Sequence, residues 1–268
     1  MSPIITAILV VSVIGMICAV MLSVASKVMA VEVDERIPKV RECLPGANCG
    51  GCGYPGCDGY AAAIVEDENT PINLCAPGGP AAAAAIGKVL GREAGAIVKQ
   101  SAFVHCRGDC NVTGHKERFQ GEQTCAAAKL LFSGDGKCAY GCLGYGDCEK
   151  VCPEDAIHVI DTLARVNPAK CIACGICVRT CPQHLIAIRA ESMPVVVKCS
   201  NHYKGPIVKK VCTAGCLGCT LCAKKCPAGA IHMEQDLPVI DPEKCTGCMT
   251  CVTVCPAKCI LPRNGTED

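Results

Sequence analysis

Tryptophan is absent from this 268-residue chain, phenylalanine occurs three times and tyrosine five. So few bulky side chains exclude a generous aromatic core and favour several small units over one large domain. Charge of either sign is not in excess: 26 Lys and Arg against 25 Asp and Glu leave +1. That supplies no basic field for nucleic acid, and the aromatics are not interleaved with Lys or Arg as a base-stacking platform requires. No nucleophile has an assignable base, and no C-x-x-C-H haem site occurs. The sequence therefore offers no bond-making active site of its own.

A different absence marks residues 3–26, PIITAILVVSVIGMICAVMLSVAS, which contain no ionisable acid or base. About 20 apolar residues cross a bilayer as a helix, so residues 1–27 are expected to form a single-pass anchor. A cleaved signal peptide would carry a basic start and a shorter apolar core. Lys27, Arg36, Lys39 and Arg41 follow the span and none precedes it, which predicts a body on the cytoplasmic side of the cell (inner) membrane. The reducing cytoplasm also keeps thiols free for metal. The span has no residue for an intramembrane ion relay, so any ion pumping falls to a partner subunit. Cys18 within it reads as a small apolar side chain.

What the chain has in abundance is cysteine, 28 in all. Sixteen fall in four runs, each ending in Cys-Pro: Cys138/Cys142/Cys148/Cys152, Cys171/Cys174/Cys177/Cys181, Cys216/Cys219/Cys222/Cys226 and Cys245/Cys248/Cys251/Cys255. Three follow C-x2-C-x2-C-x3-C-P, the spacing by which thiolates hold [4Fe-4S] cubanes in bacterial two-cluster ferredoxins. A disulfide scaffold would need an oxidising compartment and partners from well-separated segments, whereas these cysteines recur every third residue on short loops.

Third cysteines lie 29 residues apart between runs one and two (148 to 177) and again between runs three and four (222 to 251), but 45 apart between runs two and three. The runs therefore pair into a module at 138–190 and another at 213–262, with a linker at 191–212. In such pairs the fourth cysteine of each run ligates the other run's cluster. The expected sets are Cys138, Cys142, Cys148 and Cys181; Cys171, Cys174, Cys177 and Cys152; Cys216, Cys219, Cys222 and Cys255; and Cys245, Cys248, Cys251 and Cys226. The first run departs from the spacing, with three and then five residues between its first three cysteines. After each Cys-Pro the segments AIHVI, LIAIR, AIHME and CILPR read as short strands. His158 and His232, six residues after the fourth cysteines, read as polar strand positions rather than ligands.

A separate unit at 35–95 carries Cys49-x2-Cys52-x4-Cys57-x17-Cys75, three close ligands and one distant one, suited to a fifth cubane. Its glycines let the backbone wrap the core and direct N–H groups at sulfur. Zinc is the alternative, although it favours two separated knuckles. Gly51-Cys52-Gly53-Tyr54-Pro55-Gly56 also satisfies G-x-G-x-x-G, but no apolar strand precedes it and Pro55 lies inside the turn, so the dinucleotide fingerprint is rejected. Pro80 with the following alanines predicts a short helix leading towards a connector at 96–137. Cys43, Cys106, Cys110, Cys125, Cys199, Cys212 and Cys259 fall outside the five sets. Structural thiols are the default for them; Cys106, Cys110 and Cys125, with Cys199 or Cys212, are candidates for a sixth cluster.

The anchor joined to LPGANCGGCGYPGC and CAPGG, then CAYGCLGYGDCEKVCP, the tandem runs and the final CPAKCI resemble the B subunits of the Rnf (Rsx) family of membrane-bound, ion-translocating electron-transport complexes. Shorter members have one two-cluster module; this chain has two. The resemblance implies an electron-transfer subunit of an oxidoreductase (translocase) complex. It would take electrons from reduced soluble ferredoxin and relay them to integral-membrane partner subunits carrying flavins and Fe-S centres. The expected fold is α+β: an N-terminal transmembrane helix, a small [4Fe-4S] domain and two tandem bacterial-type two-cluster ferredoxin (βαβ repeat) modules. Two other readings remain open: a membrane-tethered scaffold that carries clusters without relaying electrons, and a structural zinc protein.

Overall fold

The computed structural model describes residues 3–28, 34–93, 95, 98–117, 119–131 and 133–263. Helix α1 (Pro3–Val28) is 26 residues long, and large apolar side chains from Leu9 to Val24 are exposed along it. Among the described residues no helix is long and apolar enough to cross a membrane. The side chain of Lys27, used above for orientation, lies outside the described residues.

The next unit packs helices α2 (Arg36–Glu42), α3 (Gly56–Glu66) and α4 (Gly79–Leu90) around Val40, Leu44, Tyr60, Ile64, Ile72 and Ile86. Tyr60, its one fully buried aromatic ring, donates its hydroxyl to Pro71 O (2.7 Å) and accepts the Leu74 N–H (3.0 Å). This satisfies the polar end of a buried ring. Helix α4 has the expected proline in its first turn and ends on Gly91 at φ 65, the left-handed cap that glycine adopts without strain. Its buried Ala82, Ala83 and Ile86 bind it into this unit rather than into a connection to the next.

Two ferredoxin-like modules follow. The first comprises β1 (Gln100–Val104), α5 (Cys125–Leu130), α6 (Asp147–Lys150), β2 (Ile157–Ile160), β3 (Leu163–Val166), α7 (Ile176–Thr180) and β4 (Ile186–Ala190). The second comprises β5 (Val195–Val197), α8 (Gly205–Val211), α9 (Leu221–Lys225), β6 (Ile231–Glu234), β7 (Leu237–Ile240), α10 (Thr250–Val254) and β8 (Ile260–Pro262). All four post-proline segments form the strands expected of them: β2, β4, β6 and β8. Each module has a hairpin, β2–β3 or β6–β7, and an antiparallel pair of its first and last strands, β1–β4 or β5–β8. The final strand of a module needs a partner for its backbone groups. That partner lies upstream of the first run, so β1 falls in the segment expected to be a connector and β5 in the expected linker.

The modules repeat in detail. His105 N–H donates to Leu185 O (2.7 Å) in one, and Lys198 N–H to Cys259 O (2.8 Å) in the other. Each run turns through one left-handed residue just before its short helix: Gly146, Gly175, Thr220 and Met249. The apolar cores are built from Val104, Ile157, Leu163, Leu185 and Ile186 in the first module and Val195, Ile231, Ile240 and Ile260 in the second. The modules are tied together by Arg263 Nη2, which donates to Ser101 Oγ (2.8 Å), and by His105 Nδ1, which lies 3.0 Å from Val197 O.

Candidate metal centres

Aligning the modules on their third cysteines, Cys148 and Cys222, sets Cys142 against Cys216 and Tyr145 against Cys219. The first run thus has a first and a third ligand but a tyrosine where the second belongs. Helix α5 supplies what is missing. Its N-cap Thr124 Oγ1 accepts the Ala127 N–H (3.2 Å), and the Ala126 N–H donates to Asp147 Oδ2 (3.0 Å). This pins the helix start beside the run and delivers Cys125 into the hollow lined by Cys142, Cys148 and Cys181. The Cys125 sulfur lies near the backbone N–H groups of Asp147 and Tyr145, the place where the second module carries Cys219. Cys138, expected in this set, does not line this hollow; it lines another with Cys106, Cys199 and Cys212. The spacing argument missed Cys125 because an inserted segment brings it from outside the run.

The remaining expected sets fall as follows. Cys152, Cys171, Cys174 and Cys177 line one hollow, so the fourth cysteine of the first run meets the first three of the second. Cys216, Cys219, Cys222 and Cys255 line another together with Cys259. Cys259 stands at the position of Leu185 in the first module, an apolar packing place, and its sulfur is 3.6 Å from that of Cys255. Cys245 and Cys248 neighbour Cys251, and Cys226 packs on the same core. In the N-terminal unit Cys49, Cys52 and Cys57 neighbour Cys75. There Gly50, Gly53 and Gly56 have φ of 68, 89 and 84, the left-handed turns for which glycine is suited, and Asn48 Oδ1 accepts the Cys57 N–H (2.8 Å). A helix does follow the G-x-G-x-x-G match, but among the described residues no strand precedes it, and the loop serves the cysteines. Cys18 and Cys110 are exposed. Cys43 donates to Lys39 O (3.3 Å) within α2. His158 pairs with Glu149 (3.1 Å) and His232 with Glu234 (2.8 Å), so both histidines engage carboxylates rather than thiols.

The donor sets fit an iron-sulfur core. The four hollows are of similar size, about 320 to 410 Å³. Among the described residues no three His, Cys, Asp or Glu side chains converge closely enough for a single ion, whose tetrahedral thiolates would lie about 3.8 Å apart. Burial, reinforced by neighbouring cysteines, pushes the thiols of Cys148 and Cys177 up to about 12 and about 11. Crowded thiols of this kind ionise only against a positive centre. Backbone N–H groups aim at sulfur: Ala102 at Cys171 (3.3 Å) and Ala156 at Cys152 (3.3 Å). Such bonds tune cluster potential.

The N-terminal set lies against the first module. Arg179 Nη2 donates to Cys49 O (2.8 Å), and a Cβ on Gly51 would come 3.3 Å from Cys174 O. Gly51→Ala is therefore expected to loosen the contact between the two units, while its Cβ stays in ordinary contact, 3.6 Å, with Cys49 Sγ. Paramagnetic coupling between their reduced clusters should weaken at unchanged iron content; undiminished coupling would remove this contact as the link.

Family models match three stretches of the chain. The FeS model, for an Fe-S cluster, matches residues 44–77, and the 4Fe-4S dicluster domain matches 170–230 and 215–259. The chain is 44% identical over 247 residues to the B subunit of the Na(+)-translocating ferredoxin:NAD(+) oxidoreductase complex of Acetobacterium woodii, covering 92% of this chain and 74% of that one. It is 40% identical to the B subunit of the proton-translocating ferredoxin:NAD(+) oxidoreductase complex of Clostridium ljungdahlii, covering 90% and 85%. The B subunit of the ion-translocating oxidoreductase complex of Methanosarcina acetivorans is 42% identical, with 91% and 92% covered.

Proposed function

The chain belongs to the B-subunit family of ion-translocating oxidoreductase complexes, and from that membership we propose that it is the complex's iron-sulfur relay, taking electrons from reduced ferredoxin and delivering them to partner subunits in the membrane. The observation that carries this is the recurrence of four-cysteine sets: three line a hollow each, in the N-terminal set Cys49, Cys52 and Cys57 neighbour Cys75, and in the last Cys226, Cys245 and Cys251 pack on the second module's core with Cys248 beside Cys251. The assigned sets are Cys49, Cys52, Cys57 and Cys75; Cys125, Cys142, Cys148 and Cys181; Cys152, Cys171, Cys174 and Cys177; Cys216, Cys219, Cys222 and Cys255; and Cys226, Cys245, Cys248 and Cys251. Bound there, [4Fe-4S] clusters supply one-electron redox chemistry. The protein's part is to hold the thiolates, exclude water from around them and set their spacing. The contact of Gly51 with Cys174 supports a path from the first module to the N-terminal unit.

Helix α1 is the proposed anchor. Its 26 residues amount to about 39 Å of helix at 1.5 Å per residue, more than the roughly 30 Å of a bilayer's apolar core. Basic residues after the helix favour a body in the cytoplasm, where soluble ferredoxin would reach it. The N-terminal cysteine set then sits nearest the membrane along the chain.

Anaerobic mixing of the full chain with reduced ferredoxin tests the relay. Ferredoxin should be oxidised by several electrons per chain, with bleaching of the chain's visible absorption, and the chain should be reoxidised by its partner subunits. A scaffold would instead pass iron and sulfide to apo-proteins and stay reduced beside those partners, and a zinc protein would be colourless from the start.

A further inference from the structure

The alignment that exposed Cys125 also pairs the cysteines left over. Cys106 lies two residues beyond β1, and Cys199 two residues beyond β5. Cys138 lies four residues before Cys142, and Cys212 four residues before Cys216. Each module therefore contributes the same two positions, and all four cysteines line one hollow at the seam between the modules. That hollow, about 410 Å³, is close in size to the about 370 Å³ around Cys152, Cys171, Cys174 and Cys177.

Backbone N–H groups surround the sulfurs. Cys106 takes the N–H of Gly108 (3.4 Å), and the Cys142 N–H lies near it. The backbone N–H groups of Tyr140 and Gly141 lie near Cys138, and those of Ala214 and Gly215 near Cys212. Cys199 accepts from the Cys216 N–H (3.3 Å) and Asn201 Nδ2 (2.9 Å). Donors converging on sulfur suit thiolates, since a neutral thiol is a weak acceptor. The surroundings are also fixed from both sides: Thr113 Oγ1 donates to Val211 O (2.7 Å), Ser200 Oγ to His105 O (3.0 Å), and Tyr140 packs edge-on against Tyr203 with ring centroids 5.1 Å apart.

We propose that Cys106, Cys138, Cys199 and Cys212 hold a sixth [4Fe-4S] centre that joins the two ferredoxin modules. It rests on the relay function above and gives it continuity. The site touches the first module's centre through the Cys142 N–H beside Cys106 and the second module's through the Cys216 N–H on Cys199. Single electrons cross the seam with no bond made or broken, reduced ferredoxin being the donor. The pairing of equivalent positions also explains why Cys138 stands in the first run without serving its cluster: its counterpart, Cys212, stands outside the third run.

The test is iron, sulfide and zinc analysis of the full-length chain, purified and reconstituted without oxygen. Six centres predict about 24 irons per chain, at four each. Cys106→Ala/Cys212→Ala should retain about 20, and Cys199→Ser, close in shape and leaving the Asn201 and Cys216 donors a partner, should also lose about four if the double variant does not accumulate. Reduced-state paramagnetic coupling between the two modules should fall in both. About 20 irons in the unaltered chain with no change in the variants would overturn the proposal, as would one zinc per chain that the variants lose. An unaltered chain with almost no iron would instead overturn the relay function itself.

Discussion

Stripping iron and sulfide from the anaerobically purified chain is expected to unfold the cysteine-rich body while leaving helix α1 helical. Among the described residues each module has only two-stranded sheets, which are marginal alone, and Phe103 is the one buried aromatic ring of the two modules. Ligand cysteines are part of the modules' cores: Cys148 and Cys177 in one, Cys216, Cys222 and Cys251 in the other. Structural metal binding contributes on the order of 10–16 kcal/mol per site in zinc peptides, against roughly 5–15 kcal/mol for the whole stability of an ordinary domain. Losing two centres per module exceeds what the remaining apolar contacts supply. Circular dichroism in detergent should fall to the signal of one helix, and limited proteolysis should digest the body while sparing α1. A cooperative thermal transition persisting in the apo chain would show that the cores stand without metal.

The same dependence explains which features were legible in the sequence. Ligand spacing is dictated by the cubane, so three of the four runs, the 29-residue repeat and the strands after each Cys-Pro could be read directly. The N-terminal set is as compact, and Cys49, Cys52 and Cys57 lie near Cys75 in the fold. The first strands β1 and β5 were not legible: QSAFV and VVV carry no pattern of their own, and their pairing is fixed by partners about 90 and about 65 residues away in sequence. The place of Cys138 was hidden for a related reason. Counting within CAYGCLGYGDC makes Cys138 a first ligand, whereas aligning both modules on the third cysteine makes Tyr145 the vacant second position and Cys138 the counterpart of Cys212. That alignment was available in the sequence. The fold adds that α5 fills the vacancy, because only tertiary contacts such as that between Ala126 and Asp147 bring an inserted helix to the run.

Cys125→Ala and Cys138→Ala are accordingly expected to have opposite effects on the first module. Removing Cys125 leaves Cys142, Cys148 and Cys181 without a fourth thiolate, so the variant should lose about four irons, one cubane, and with it the coupled signal that module one's two reduced centres give together. Tyr145 cannot replace the lost sulfur, because its hydroxyl is held by Asp135 Oδ2 at 2.7 Å and its N–H, with that of Asp147, is left beside an empty place. Relay through this module should then fall by at least about tenfold, as one of its two centres is gone; a tenfold change corresponds to about 1.4 kcal/mol in barrier. Cys138→Ala should leave the coupled signal of module one as it is in the unaltered chain, since Cys138 faces the seam between modules. Spacing within the run predicts the reverse, with Cys138→Ala abolishing the signal and Cys125→Ala sparing it. Spectra of the two variants, reduced side by side with dithionite, therefore decide between a ligand set counted along the chain and one assembled by the fold.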